Sequence, residues 1–521
     1  MSSVAITSSA EAQAPAEPKP LTGLALLIAA IAIGMSNFLV VLDTTIANVS
    51  IPTIAGALGV SATQGTWVIT SYAVAEAITV PLTGWLTKRF GAKRVFLVCY
   101  FAFGILSLLC GLAFGFGQLI AGRVLLGLAG GPIMPLSLMM LIYVFPKEKA
   151  MLANVLWAMT TIIGPIAGPI LGGIISDTVG WQWIFFIKVP VAAIGGVMCW
   201  ILLRGVKDRL EKATIDYVGL GLLVLWVASF QIMIDEGRNL DWFASHEVQF
   251  LAVISAISFA AFVIWELTAK NPIVDLKIFR HRGFTVSSLT YSFGFAAFFG
   301  SVVILPLWLQ QNMGYTATWA GYATGVMGIL AMFCAPAVGK SLEKGLDPRL
   351  VIFIGLMGLG LLHVWRMGFS PDVTFLQMMW PTVLSGIFMV MFFIPVSGLA
   401  LASVQPHEMA NAAGLSNFMR TLAGAIATAV VQTGWSNAQR QNQTELAGAM
   451  TNGDHVIREM TAAGASPEAA VFSLSRIVEG QSLTLATLNM FGAIAILFVF
   501  SAVFIWLAPK PRGPIDTTGG H

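Results

Sequence analysis

Charged residues are scarce in this chain. Asp, Glu, Lys and Arg make up 10% of its 521 residues and hydrophobic residues make up 57%, whereas soluble proteins are about 25% charged. This deficit excludes an ordinary soluble domain and indicates an integral membrane protein. The formal net charge of +3 is too small and too dispersed to indicate a nucleic-acid-binding protein.

Cysteine is also rare, and its spacing argues against two kinds of site. The four cysteines lie within apolar runs, without the spacing of disulfides or metal ligands, at Cys99, Cys110, Cys199 and Cys334. We interpret them as buried small apolar residues and predict neither a metal nor a cofactor. The chain has no GxxxxGK[ST] loop, so nothing in it supports ATP-driven pumping.

A cleavable signal peptide is missing from the N-terminus. Residues 1–22 are polar and rich in Pro and Ala, without the order of charged and apolar residues that such a signal requires. We predict that they form a disordered cytoplasmic tail, and that residues 509–521 form a second one.

Long apolar runs dominate the rest of the chain. A helix of about 20 apolar residues crosses a bilayer. Fourteen runs meet this requirement, at residues 23–46, 62–86, 95–114, 118–143, 149–175, 182–203, 217–234, 248–267, 284–309, 317–339, 349–366, 376–402, 409–434 and 484–508. The sequence therefore predicts an all-α integral membrane protein with 14 transmembrane helices.

Basic residues cluster in alternate connections. Lys and Arg follow spans two, four, six, eight, ten and fourteen, as at Lys88 and Arg89, whereas the other connections are nearly uncharged or acidic. Because short basic connections stay in the cytoplasm, we predict that both termini are cytoplasmic. The long polar connection at residues 435–483 then lies in the periplasm, as either a solvated spacer or a docking surface.

Two similar segments indicate an internal repeat. Gly84–Arg94 follows span two and Gly339–Arg349 follows span ten, and each runs from a glycine through lysines to an arginine. Parallel halves around a midplane site are one known transporter architecture. We therefore predict a six-helix bundle at 23–203, two inserted helices with flanking loops at 204–283, and a second six-helix bundle at 284–508.

Charged residues within predicted spans include Asp43, Glu76 and Arg123. An ionised side chain is costly in hydrocarbon, so each must face protein or water, and Arg123 needs an acidic partner, polar backbone or water. Burial disfavours the ionised form of a carboxyl group and a nearby arginine favours it. A carboxyl group between these effects can exchange protons near neutral pH. The alternatives are structural hydrogen bonds for the two acids and an Arg123 that reaches the membrane interface.

Glycine and proline concentrate in predicted span five. Three glycines recur at every fourth residue with two prolines among them, at Gly164, Gly168, Gly172, Pro165 and Pro169. The glycines form one face that permits close helix contact, and the prolines remove backbone donors that neighbouring groups must compensate. We interpret the segment as a deformable helix, and tight packing alone is the simpler alternative.

Two polar residues share a face of predicted span thirteen. Asn417 and Arg420 are three residues apart, and side chains at that spacing are neighbours on a helix. They either fix a contact between helices or line a transport pathway.

Together these motifs resemble the major facilitator superfamily over essentially the whole chain, and within it the fourteen-span drug:proton antiporters. The resemblance rests on LDTTIANVSIP, GWLTKRFGAKR, GPIAGPILGG and the Arg123 segment. It implies the major facilitator fold and proton-coupled export of hydrophobic drugs and toxic compounds across the bacterial inner membrane. It also implies an EmrA-like periplasmic adaptor and a TolC-like outer-membrane channel as partners in a tripartite efflux system.

The resemblance also assigns roles to residues of this chain. The resemblance assigns proton coupling to Asp43, Glu76 and Arg123. The antiport motif comprises Gly164, Pro165, Gly168, Pro169, Gly172 and Gly173. The cytoplasmic loop motif comprises Gly84, Lys88, Arg89, Gly91, Lys93 and Arg94. Candidate residues of a largely apolar substrate cavity are Asn37, Tyr291, Met391, Asn417, Phe418 and Arg420.

Two lysines depart from the family pattern. Lys88 stands where the loop motif usually has an acidic residue, so the charge relay proposed for that motif cannot be carried over intact. Lys188, in WIFFIKVP, stands where a related motif commonly has asparagine. We therefore expect the external end of span six to differ.

Two other functions are compatible with the sequence. The same machinery could export one dedicated metabolite or toxin, because apolar cavity walls discriminate weakly between hydrophobic molecules. A membrane sensor or scaffold without transport is the alternative of a different class. None of the three is an enzyme.

Overall fold

The computed structural model describes residues 23–510 apart from residues 66, 147–148, 206–209, 211–214, 238–239, 271, 406–407 and 451. Within these residues all regular elements are helices, which confirms the all-α prediction. The predicted tail at residues 1–22 lies outside the described residues, as does all but the start of the tail at 509–521.

The α-helices of the described residues follow one another in a fixed order. They are α1 (Gly23–Leu58), α2 (Ala62–Gly65), α3 (Trp67–Phe90), α4 (Ala92–Gly111), α5 (Phe116–Val144), α6 (Ala150–Thr178), α7 (Trp183–Phe186), α8 (Lys188–Leu202), α9 (Tyr217–Gly237), α10 (His246–Thr268), α11 (Arg282–Gln311), α12 (Ala317–Gly325), α13 (Met327–Glu343), α14 (Pro348–Arg366), α15 (Phe375–Ala402), α16 (Met409–Ala449), α17 (Gly453–Ala462) and α18 (Pro467–Phe504).

Glycine and capping residues set several boundaries between these helices. Gly91 separates α3 from α4 with a φ of 90°, a left-handed conformation that favours glycine. Thr374 begins α15 with a capping box to Gln377. The Ala469 backbone N–H donates to Ser466 Oγ (3.2 Å) at the start of α18. Such local signals divide a nearly continuous apolar sequence into separate helices.

Eleven helical segments of the described chain are long and apolar enough to cross a membrane. They are Gly23–Ala47, Ala92–Gly111, Phe116–Val144, Trp183–Gly205, Tyr217–Gly237, His246–Thr268, Arg282–Gln311, Thr318–Glu343, Pro348–Arg366, Phe375–Ala402 and Pro467–Leu507. The other predicted spans fall on α3, α6 and α16. Polar residues make two of these helices less uniformly apolar, such as Glu76 in α3 and Arg420 in α16. The count of fourteen spans stays a prediction.

The helices pack in two groups and one pair. Helices α1 and α3–α8 pack on one another, as do α11–α16 and α18, while α9 and α10 form the pair. Helix α9 also contacts α3 and α16. The Trp226 ring of α9 stacks on Phe262 of α10 and meets Phe418 of α16 edge-on, with ring centroids 5.6 and 5.8 Å apart. The pair is therefore attached by an apolar cluster of its own.

The two groups touch near both ends of α6. Near its start, Asn154 Nδ2 donates to Ile394 O of α15 (3.3 Å). Near its end, α12 lies so close that a Cβ on Gly321 would be 2.9 Å from Ile170 Cα. Only glycine permits such an approach of two backbones. Helix α6 therefore forms much of the contact between the groups.

The predicted periplasmic segment is helical rather than irregular. Trp435 Nε1 of α16 donates to Thr487 Oγ1 of α18 (2.9 Å), and Asn442 Nδ2 approaches Ser482 O (3.4 Å). The end of α16, α17 and the start of α18 thus form a helical extension, which we define as residues 435–483.

Candidate functional site

Asp43 lies within the apolar helix α1 and contacts two basic side chains. Arg123 Nη1 of α5 is 2.5 Å from Asp43 Oδ2. Lys188 Nζ of α8 contacts the other carboxylate oxygen, Oδ1. All three side chains are 0% exposed. We call these three residues the Asp43 cluster.

Arg123 has two further partners in the first group of helices. Its Nε donates to Val68 O of α3 (2.7 Å). Its guanidinium carbon lies 4.4 Å from the centre of the Tyr72 ring, and an aromatic face attracts a cation. The side chain is fully buried, so the alternative that Arg123 reaches the membrane interface is wrong.

Lys188 is the member of the cluster that the sequence did not reveal. Its Nζ lies 4.7 Å from the centre of the Phe185 ring and 5.8 Å from that of Phe103. Its partner Asp43 is 145 residues earlier in the chain, and no motif spacing connects the two. The available signal was a lysine inside an apolar run, because such a lysine needs an anionic partner.

The Asp43 cluster holds two cations and one anion. Each carboxylate oxygen has its own cation, so the ionised cluster keeps a surplus positive charge. If Asp43 bound a proton, both cations would lose their anion inside the protein. Breaking a buried ion pair costs about 3–5 kcal/mol, so protonation requires at least one cation to move or become solvated. The cluster can therefore link a proton to a displacement of α5 or α8 relative to α1.

The glycine stripe of α6 packs against the part of α1 that carries Asp43. A Cβ on Gly164 would be 2.5 Å from Val41 Cγ1, and one on Gly168 would be 2.8 Å from Thr45 Cβ. A Cβ on Gly172 would be 2.6 Å from Ile46 O. Close packing is thus the observed role of the stripe. Gly173 and Pro169 are buried beside it, and the Pro165 side chain lies outside the described residues.

Glu76 is buried in α3 but does not join the Asp43 cluster. It is 2% exposed, and its Oε1 has no hydrogen-bond partner within the described chain. A Cβ on Gly131 of α5 would be 2.8 Å from Glu76 O, so α5 packs tightly there. A carboxyl group without a hydrogen-bonded cation can gain a proton without breaking an ion pair.

Arg420 reaches from the second group of helices into the first. Its Nη2 lies 2.9 Å from Met134 Sδ of α5, and its guanidinium carbon is 4.8 Å from the centre of the Phe295 ring of α11. Its helical neighbour Asn417 donates to Ala413 O (2.9 Å). Arg420 thus takes part in a contact between helices, which was one of the two predicted alternatives.

The other candidate cavity residues lie at different helix contacts. Asn37 Nδ2 donates to Oγ1 of Thr160 and of Thr161 on α6, at 2.8 Å each. Tyr291 lies 5.8 Å from Phe393, centroid to centroid, and its hydroxyl has no partner among the described residues. Phe418 contacts Trp226 as described above, and Met391 is half-buried. A lining role for these residues stays a prediction.

The loop motif lies at the junction of α3, α4 and α16. Gly84 contacts Asn411 of α16, where a Cβ would be 3.5 Å from Asn411 Cγ. Lys88, Arg89 and Arg94 are exposed, and Lys93 is half-buried.

The second copy of the repeat contains an acidic side chain that caps a helix. Arg349 donates to Asp347 through its backbone N–H (3.0 Å) and through Nη2 (2.8 Å). These bonds hold the pKa of the Asp347 carboxyl below its usual value. The contact lies at the N-terminus of α14, where a carboxylate is favourable. Across the described residues there is no group of three metal-binding side chains.

Comparison with known proteins identifies the family of this chain. The sequence profile of the Major Facilitator Superfamily matches residues 33–428. The chain is 40% identical over 509 residues to the multidrug export protein EmrB of Escherichia coli K12, covering 97% of this chain and 99% of EmrB. It is also 40% identical over 510 residues to the fatty acid resistance protein FarB of Neisseria gonorrhoeae, covering 96% and 99% of the two chains.

Solved structures agree with this chain at the level of the fold. The human organic anion transporter MFSD10 (TETRAN) superposes with a TM-score of 0.58 at 13% identity, covering 93% of this chain and 100% of the other. A bacterial homologue of the lysosomal transporter Spinster superposes with a TM-score of 0.54 at 14% identity, covering 94% and 97%.

Proposed function

Because this chain belongs to the Major Facilitator Superfamily, a family of transporters, we propose that it exports hydrophobic drugs and toxic compounds in exchange for protons. Its relatives include a multidrug export protein and a fatty acid resistance protein, at 40% identity over nearly the whole chain. The first name specifies the export of several drugs, and the second specifies resistance to fatty acids, which are amphiphilic. The chain is a multi-pass membrane protein, and the bacterial inner membrane is the location that fits this cargo and these relatives.

The observation that carries the proposal is the Asp43 cluster. A proton that reaches Asp43 removes the anion shared by Arg123 and Lys188 and thereby weakens the contacts of α1 with α5 and α8. Deprotonation restores both ion pairs. The cluster therefore has two arrangements that differ in bound proton and in helix contacts, which is the requirement for coupling a proton to a conformational change.

During alternating access, each group of helices would move as a rigid unit. We assign one bundle to residues 23–203 and the other to 284–508, with the pair α9 and α10 inserted at 204–283. Helix α6 contacts both the glycine-packed part of α1 and the second bundle. A change in the Asp43 cluster can therefore reach the bundle contact through α6. Arg420 provides a second link, since it contacts both Met134 of α5 and the Phe295 ring of the second bundle.

Partners outside the membrane would engage the helical extension. Its α18 part exposes apolar side chains, with Val471 at 51%, Phe472 at 63% and Ile477 at 54%. Val471 and Phe472 are adjacent, and exposed apolar residues that lie together mark interaction surfaces. A periplasmic adaptor of the EmrA type is the partner that we assign to this surface, and a TolC-like outer-membrane channel would complete the route out of the cell. Both termini are then cytoplasmic.

Transport measured in vesicles tests the proposal. Purified protein in liposomes with an imposed pH gradient should move a hydrophobic fluorescent cation against its gradient, and an uncoupler should stop the transport. A susceptibility panel on a strain without the protein, with and without an uncoupler, should show hypersensitivity to several unrelated compounds. Sensitivity to a single compound would indicate a dedicated exporter. No transport and no change in susceptibility would indicate a sensor or scaffold.

A further inference from the structure

A further buried cation lies in the second group of helices, far along the chain from the Asp43 cluster. Arg366, in the last turn of α14, is 3% exposed. It lines a small cavity with His363 of the same helix and with residues of α11, α12, α13, α15 and α18.

Arg366 donates only to neutral groups. Its Nη1 lies 3.1 Å from Ser301 Oγ and its Nη2 lies 3.0 Å from Thr382 Oγ1. Its Nε has no hydrogen-bond partner within the described residues. These hydroxyl groups orient the guanidinium, but they do not neutralise it.

The neighbouring histidine is neutral and supplies no negative charge. His363 Nδ1 is 2.8 Å from Leu359 O, and because a carbonyl oxygen only accepts, Nδ1 carries the hydrogen. His363 Nε2 is 3.2 Å from Arg366 Nη1, and because a guanidinium only donates, Nε2 is the acceptor. The ring is therefore the neutral tautomer protonated on Nδ1.

Arg366 differs in this respect from Arg123, which forms an ion pair with Asp43. Arg366 forms no ion pair with any described carboxylate, since its described contacts are Ser301, Thr382, His363 and the Phe491 ring. A buried charge without a counter-charge is strongly unfavourable, so the site is incomplete without an anion.

The cavity limits the size and the charge of that anion. The cavity has a volume of about 20 Å³, which is room for about one or two water-sized particles. One guanidinium offsets one negative charge. Most of the other walls are apolar side chains, and the hydroxyl hydrogens of Ser385 and Thr324 are donated to their own helices. We propose that the cavity binds one small monovalent anion of about the size of chloride, held by Arg366.

Such an anion would lie where Arg366 connects three helices of the second group. Arg366 belongs to α14, Ser301 to α11 and Thr382 to α15, and all three side chains converge on the cavity. The bound anion would therefore stabilise the packing of these helices. This role is independent of the proposed proton coupling, because none of these residues contacts the Asp43 cluster.

Chloride titration of the purified full-length protein tests the proposal. Tm is measured in detergent while sodium chloride replaces sodium gluconate at constant ionic strength, because gluconate is too large for the cavity. A ligand that binds only the folded state raises Tm in a saturable manner. We expect a rise of about 1–3 °C for the wild type, no rise for Arg366→Gln, and the wild-type rise for the control Arg476→Gln, which removes an exposed arginine.

Arg366→Gln also tests the charge argument, because it removes an unneutralised buried cation. We expect its Tm in gluconate to equal or exceed that of the wild type in gluconate. A wild type without a saturable chloride response, or an equal response in Arg366→Gln, would overturn the proposal.

If Arg366→Gln does not fold, bromide binding to the wild-type protein tests the proposal instead. Crystals grown in sodium bromide should show an anomalous peak within hydrogen-bonding distance of Arg366. The absence of a peak there would overturn the proposal.

Discussion

Replacing Lys188 by methionine tests whether Asp43 binds the transported proton. Lys188 Nζ contacts Asp43 Oδ1, and both side chains are 0% exposed. Opposite unit charges about 4 Å apart attract by about 4 kcal/mol at an effective dielectric constant of about 20. We therefore expect the loss of Lys188 to weaken the attraction on the Asp43 carboxylate by about 2–4 kcal/mol. Because about 1.36 kcal/mol corresponds to one pH unit, the pH midpoint of coupled transport should move by about 1.5–3 units.

The direction of the shift follows from the sign of the lost charge. A nearby cation favours the ionised carboxylate, so without Lys188 the carboxyl group keeps its proton to higher pH. We therefore expect an upward shift, measured as the initial rate of gradient-driven substrate transport in proteoliposomes at a series of pH values. The control Lys188→Arg keeps the cation and should stay within about half a unit of the wild type. An unchanged midpoint in Lys188→Met would refute the reasoning.

Stability gives a second, independent readout of the same variant. The wild-type cluster has two cations and one anion, so Lys188→Met leaves one balanced pair with Arg123. The methionine also meets aromatic rings at Phe185 and Phe103, contacts that its sulfur tolerates well. We expect Tm to equal or exceed that of the wild type. A fall in Tm corresponding to about 3 kcal/mol would show that Lys188 is mainly a structural partner.

Three other predictions follow from the site. Asp43→Asn should still bind a hydrophobic substrate, measured by fluorescence quenching, but it should lose proton-driven efflux and most of the pH dependence of binding. Glu76→Gln should show a milder loss. Efflux at the wild-type rate in Asp43→Asn would count against a role of the Asp43 cluster in coupling. Gly168→Leu should reach the membrane at normal abundance yet lose about 90% or more of transport, because its side chain would clash with α1. The control Gly117→Leu, at a glycine with open space around it, should transport normally. Normal transport by Gly168→Leu would contradict the need for close packing of α6 on α1. Replacing residues 435–483 by a short flexible linker should preserve exchange in vesicles and abolish resistance in cells, and retained resistance would reduce the extension to a spacer.

The sequence predicted the helical class and the family, but not every contact of the site. Long apolar runs with basic connections are sufficient to locate most spans, because the bilayer imposes a length and a composition. The cost of a buried guanidinium was sufficient to predict a partner for Arg123. Lys188 lies at a helix end, as the first residue of α8, but the sequence did not predict its contact with Asp43, because contacts between distant segments depend on how the helices pack.

Polar residues lower the hydropathy of two helices that the sequence predicted as spans. Glu76 lies in α3 and Arg420 in α16, and neither helix is among the eleven segments of the described chain that are long and apolar enough to cross a membrane. The sequence also left the extension at 435–483 open between a spacer and a docking surface. Its helical pairing depends on contacts such as Trp435 with Thr487, 52 residues apart, which local patterns do not reveal.

Substrate-induced proton release tests the central claim most directly. Wild-type protein in detergent and weak buffer near neutral pH should release protons when a saturating hydrophobic substrate is added, measured with a pH-sensitive dye. We predict that Asp43→Asn binds the substrate without releasing protons. Undiminished release from Asp43→Asn would contradict the account and make Glu76 the proton carrier.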